Sequence, residues 1–260
     1  MSTETQCVTK EAKMRAYHGQ NNVKEEFLDR VKAHRKADEI VQRSYWENGK
    51  GCAVGCTIHG NSHKAYEVEL GIPEEIAYLE DALFEGMSIT EAKKFPAKFL
   101  EAIPVGADLS NVVPKFLIWI LTDEKNGAVN FTERIIEQEL TQKASSLLDR
   151  LTLGEKGLES EFKELRRKSR MSHSSFSSHV LSCIEYSLDY PFPKWKEYGA
   201  EAAKRAARAY ACYQVGSDHY SGFAKAEKKH SKNMADKLLE LLAAALTEID
   251  NQGVSYVRST

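Results

Sequence analysis

A chain of 260 residues, 42% hydrophobic and 28% charged, holds enough apolar material for one large core or two closely packed ones. Its 36 basic and 38 acidic residues leave a formal charge of −2, so no global field draws it to nucleic acid or to an anionic membrane. The longest apolar blocks, FLIWIL and LLELLAAAL, fall far short of the roughly 20 residues a membrane-spanning helix needs.

The start, MSTETQCVTKEAK, is polar and mixed in charge, without a secretory signal, and a cytoplasmic protein is expected. The five cysteines are an odd number, thinly spread, which argues for reduced thiols rather than a disulfide framework. Cys183 and Cys212 lie within helical apolar patterns and read as small buried hydrophobes.

Apolar positions recur at helical spacing, interrupted by only six prolines and 15 glycines. The pattern predicts a mainly α, single-domain multi-helix bundle. Residues 1–16 read as a flexible leader, 17–250 as the helical domain with a weak subdivision near 153–157, and 251–260 as a tail.

A first helix from about Val23 to Tyr45 would carry an inward stripe of Phe27, Val31, His34, Asp38, Val41 and Tyr45. The glycine-punctuated WENGKGC ends it, and a Cys52–His59 segment follows. A short helix capped by Ser62 runs to Leu70, with Gly71 as its C-cap and Pro73 in the first turn of PEEIAYLEDALFEG. Ser88 and Glu91 make a capping box, and 95–110, with Pro96 and Pro104, reads as irregular.

VVPKFLIWIL, near 112–121, is the most apolar segment, and a helix or a short buried strand both fit it. Helices are then predicted after the Asn130 cap, over 158–170, over 174–188 and over 194–215. The 194–215 helix would bury Trp195, Tyr198, Ala202, Ala206, Ala209 and Tyr213. A last amphipathic helix carries Met234, Leu238, Leu241, Leu242, Ala245 and Ile249.

The densest chemistry lies in KGCAVGCTIHGNSHKAYE, where Cys52, Cys56, His59, His63 and Glu67 follow one another at steps of four, three, four and four. As a metal site, Cys52, Cys56, His59 and His63 supply thiolate and imidazole ligands that suit zinc or iron. One straight helix cannot wrap them round an ion, because a rise of about 1.5 Å per residue separates Cys52 from His63 by about 16 Å. The chain would have to fold at Gly55 or Gly60.

As a thiol site, Cys52 follows Gly49-Lys50-Gly51 at an expected helix start, which would lower its pKa. His34 would be the base, oriented by Asp38 at i+4. As plain packing, the cysteines and histidines are core elements, and the glycines admit close helix contacts.

The fragments YHG, RVKAHRKADEIVQ, YWENGKGCAVGCTIHG, YEVELGIP, LEDALFEG and AIPVGADLS resemble a family of uncharacterised bacterial and phage proteins over about the first 110 residues. The resemblance implies no activity. Residues 165–170 (LRRKSR) and the lysines and arginines from Lys204 to Lys232 make two basic stretches, a solvated face or a docking surface for an anionic partner.

Two functional classes therefore stay open. One is a small-molecule or metal-dependent enzyme built on the Cys/His segment. The other is a binding or regulatory protein that docks a macromolecule through its C-terminal helices.

Overall fold

The structure is a computed structural model and describes residues 13–172, 178–189, 196–215 and 220–247. In chain order these form α1 (Asn21–Lys36), a hairpin of β1 (Trp46–Glu47) and β2 (Lys50–Gly51), α2 (Ala53–Ile58), α3 (Glu74–Gly86), α4 (Ile89–Ala92) and α5 (Phe95–Ala102). There follow α6 (Val112–Thr122), α7 (Ile135–Thr152), α8 (Glu159–Met171), α9 (His179–Asp189), α10 (Tyr198–Val215) and α11 (Tyr220–Ala243). The protein is mainly α, as its periodicity predicts. None of the described helices is long and apolar enough to cross a membrane.

Alanine decides which helix sits at the centre. α10 buries Ala202, Ala203, Ala206, Ala207 and Ala209, and such small side chains let neighbours approach closely. It packs against α3, α6, α9 and α11. Leu148 and Phe162, on either side of 153–157, join the same core as Ile76 and Phe116.

Local chemistry sets several boundaries where the pattern misplaces them. α1 stops at Lys36, its last turn holding His34, Arg35 and Lys36, which suits the negative end of the helix dipole. Asp38 and Arg43 then take left-handed backbone angles, φ 58° and 68°, so the predicted stripe ends at His34. Tyr45 is 49% exposed instead of inward. The segment WENGKG is a hairpin, with Trp46 opposite Gly51 and Glu47 opposite Lys50. Asn48 and Gly49, both at positive φ, form its two-residue turn.

Pro96 and Pro114 stand in the first turns of α5 and α6, where a missing N–H costs nothing, so both segments are helical. The strand alternative for 112–121 is thereby replaced. The long seventh helix starts at Ile135, not after Asn130, whose amide instead donates to the Asp123 and Gly127 carbonyls. Tyr213 is 56% exposed, and Cys212 is only partly buried. Trp195 and Ile249 lie outside the described residues. Gly71 does cap its segment at φ 61°, but that segment is a π-helical turn, Tyr66–Leu70. Ser88 caps α4 by accepting from Glu91 N at 3.4 Å.

The basic stretches are laced with acids. Arg166 pairs with Asp189, Arg167 and Lys168 with Glu164, and Arg170 with Glu185.

Candidate functional site

The predicted stripe is split into separate places. α2 lasts only from Ala53 to Ile58, and His59 turns the chain at φ 51°. Histidine is among the residues that tolerate this conformation, and nothing in the helical spacing announces it. Glu67 leaves the face and accepts from Glu74 N at 3.2 Å, at the start of α3. Cys56 is fully buried, its thiol 3.3 Å from the Gly51 carbonyl.

His59 meets His34 on the far side of the hairpin, Nε2 to Nε2 at 2.8 Å, and stacks on Trp46 at 4.4 Å. Cys52 and His63 alone of the proposed ligands line one cleft. Among the described residues, no group of three or more His, Cys, Asp or Glu side chains could hold a metal ion. The quartet Cys52, Cys56, His59 and His63 does not form.

The proposed base is also rearranged. His34 Nδ1 meets Glu39 Oε2 at 2.7 Å, while Asp38 points away, 76% exposed and paired with Lys93. Neither His34 nor His59 lines the cleft that holds Cys52. Burial first, then the charges of Arg30 and His34, lower the His59 pKa.

Cys52 is positioned by its own backbone. Its N–H donates to Ser44 O at 2.6 Å and Tyr45 O at 3.1 Å, which ties the strand-entry segment across the start of α2. A Cβ at Gly51 or Gly55 would lie 2.0 or 1.5 Å from that same Tyr45 carbonyl. The glycines on either side of Cys52 are thus what lets residues 44–46 lie on it. The Sγ accepts from Gly55 N at 3.5 Å and is 1% exposed.

The cleft, of about 590 Å³, brings Cys52 together with Tyr45, His63, Tyr78 and Asp81, and its rim carries Arg43, Glu85, Glu197, Glu201 and Lys204. The His63 ring stacks on Tyr78 at 3.9 Å and meets Tyr45 edge-on at 6.0 Å. His63 Nε2 lies 3.4 Å from Asp81 Oδ2, within ion-pair reach but not aligned as a hydrogen bond. Both His63 Nε2 and Asp81 Oδ1 are buried without a hydrogen-bond partner. Buried polar atoms are nearly always partnered, so two on one cleft wall mark where a bound molecule would supply the complement.

Burial first, and then the negative charge of Asp81, push the Cys52 thiol far above its usual range. This reverses the expectation drawn from Lys50, which lies exposed in β2. Burial likewise pushes Cys56 and Cys183 up to about 12. Thiolate fraction and access together govern alkylation. Of the four described cysteines, half-buried Cys212 should therefore react first with limiting iodoacetamide at pH 7, ahead of Cys52. Peptide mapping after brief exposure ranks them, and a faster Cys52 would contradict this electrostatic account.

Sequence reasoning missed Tyr78, Asp81 and Glu85. A signal was present, since the three stand at steps of three and four on α3, a polar line between the buried Ile76, Leu79 and Leu83. Compared with known proteins, the chain matches no family model, no curated protein and no solved structure.

Proposed function

We propose that the cleft is the active site of an enzyme that transfers an acyl group of a small substrate through Cys52. The observation that carries this reading is the convergence of the Cys52 thiol, the Asp81 carboxyl and the His63 imidazole on one cleft, with Asp81 Oδ1 and His63 Nε2 unpartnered. In the free protein the thiol holds its proton, so attack requires the proton to leave as the bond forms. Sγ bonds to the acyl carbon, the Asp81–His63 pair takes the thiol proton, and that proton departs with the leaving group. Water then attacks the thioester, its proton passing through the same pair to the sulfur as the carbon–sulfur bond breaks and the free acid leaves. A reducing, cytoplasmic setting, in which Cys52 stays a free thiol, belongs to this reading.

Exposure to 4-nitrophenyl acetate should give an acetyl adduct on Cys52, read by peptide mass. The adduct should be absent from Cys52→Ala and form at least about tenfold more slowly in Asp81→Asn and His63→Gln, in line with the ~10²–10⁴-fold typical of acid–base assistance. An adduct spread evenly over the cysteines, or rates unchanged in both variants, would remove Cys52 from the chemistry.

The alternative, a protein that docks a macromolecule through its late basic helices, has less behind it. Lys204, Arg208 and Lys232 already pair with Glu201, Glu227 and Asp236.

A further inference from the structure

The unpartnered atoms of the cleft differ in kind, and the difference selects the ligand. Asp81 Oδ1 is a buried acceptor without a hydrogen-bond partner of its own, the weakly donating Cys52 thiol bonding to the carboxyl beside it, so its complement is a donor. Four carboxyl groups, Asp81, Glu85, Glu197 and Glu201, line the cleft against two cations, Arg43 and Lys204. Lys204 is already tied to Glu201 at 2.7 Å, and Glu85 accepts from the Arg43 backbone at 2.9 and 3.1 Å. The lining still carries two more acids than cations, with Asp81 at depth and Glu197 at the rim. Tyr45, half exposed beside them, adds a ring face of the kind that attracts a cation.

A second observation concerns the imidazole beside these acids. His63, 6% exposed, holds Nε2 at the same wall, 3.4 Å from Asp81 Oδ2 but without an aligned hydrogen bond, so the wall keeps polar capacity that a bound molecule would meet. An anionic ligand would have to approach Asp81 head-on. A volume of about 590 Å³ suits a single small molecule and not a polymer.

We infer that the cleft takes a small molecule carrying a primary ammonium or guanidinium group, whose N–H donors meet Asp81 Oδ1 beside Tyr45. The inference deepens the reading of the cleft as a substrate site, because it names the class of substrate. It also fits the held thiol. A bound cation would offset the Asp81 contribution to that hold, the smaller one after burial.

The test is titration calorimetry on the full chain with three isosteric probes, cadaverine, 1,5-pentanediol and glutarate. Cadaverine should bind at least about tenfold more tightly than the other two, as expected for one buried charge-assisted hydrogen bond. Asp81→Asn should erase that preference. Glu197→Gln, at an exposed position where folding is not at stake, should weaken cadaverine about two- to threefold, the scale of a rim charge. Cys52→Ala should bind cadaverine as wild type does, because the acidic wall is intact.

Equal or tighter binding of glutarate, no binding of cadaverine at millimolar concentration, or a preference that survives both carboxyl changes would each overturn the inference. Failure of the thiol chemistry is separable. Amine binding that persists while Cys52 forms no acyl adduct leaves the cation site standing and removes the enzyme. Acylation of Cys52 without amine preference does the reverse.

Discussion

Gly55→Ala should cost the fold about 3 kcal/mol or more, at the top of the range for overpacking a rigid interior. The added Cβ would lie 1.5 Å from the Tyr45 carbonyl oxygen and 2.6 Å from its carbon. These are backbone atoms, so no side-chain rotation relieves the clash. Residues 44–46 must move, and the two bonds that Cys52 N makes to Ser44 and Tyr45 are strained or lost with them.

At about 2–4 °C per kcal/mol for a chain of this length, the melting temperature should fall by roughly 6–12 °C. Gly60→Ala is the control. A Cβ there meets nothing closer than 3.8 Å, and the melt should barely change. Equal melting temperatures for the two variants would show that segment 44–46 does not rest on Gly55. Because the same contact seats Cys52, Gly55→Ala should also slow acylation of that thiol.

The pH dependence of stability should change shape when Glu80 becomes glutamine. Glu80 is fully buried and accepts from the Tyr66 hydroxyl at 2.8 Å. Burial dominates and raises its pKa to about 8, with Asp81 adding to the rise and the Tyr66 bond opposing it. Between pH 4.5 and 8 the unfolded chain has lost this proton while the folded chain keeps it. Stability from this group is therefore fully present below 4.5 and declines as pH rises towards 8, by about 1.4 kcal/mol per pH unit.

His230 acts in the opposite sense. Its ring is fully buried against Tyr210, stacked at 4.6 Å, with neither nitrogen hydrogen-bonded. Burial lowers its pKa to about 4, the nearby Asp123 opposing the shift. The unfolded chain takes up a proton below 6.5 that the folded chain refuses until about 4. Stability from His230 is thus full above 6.5 and lost as pH falls.

From these two groups the slopes cancel between pH 4.5 and 6.5, and the Glu80 decline emerges from 6.5 to 8. Glu80→Gln keeps an acceptor for Tyr66 and removes the titration. Its profile should rise from pH 4.5 to 6.5 and then stay flat, so its stability relative to wild type grows by a few kcal/mol between pH 5 and 8. Urea unfolding at pH 5, 6.5 and 8 measures this directly. Parallel profiles would mean that Glu80 titrates alike in both states.

The sequence alone determined that the chain is helical, that Gly71 and Ser88 act as caps, and that the segment around Cys52 is where glycine and reactive groups concentrate. Each is a local property. Helical period, φ preference and a hydroxyl three residues before an N–H are set within a turn or two of chain. α7, α8 and much of α10 follow their apolar spacing for the same reason.

What the tertiary structure decided is which reactive groups meet. One residue in a left-handed conformation, His59, sends His63 to the cleft and leaves His59 itself with His34, so an even helical register became two separate clusters. Glu39 displaced Asp38 as the partner of His34, because Asp38 sits at φ 58° just past the helix end and turns outward to Lys93. Asp81 and Tyr78 reach Cys52 from a helix more than 20 residues on, across a gap closed by core packing and not by spacing. The thiol pKa reversed sign for the same cause. A lysine two residues away is near in sequence but exposed, whereas burial and Asp81 are imposed by the fold. Short-range sterics are written residue by residue, but desolvation and charge depend on everything that packs against a side chain, and that is settled only when the whole core closes.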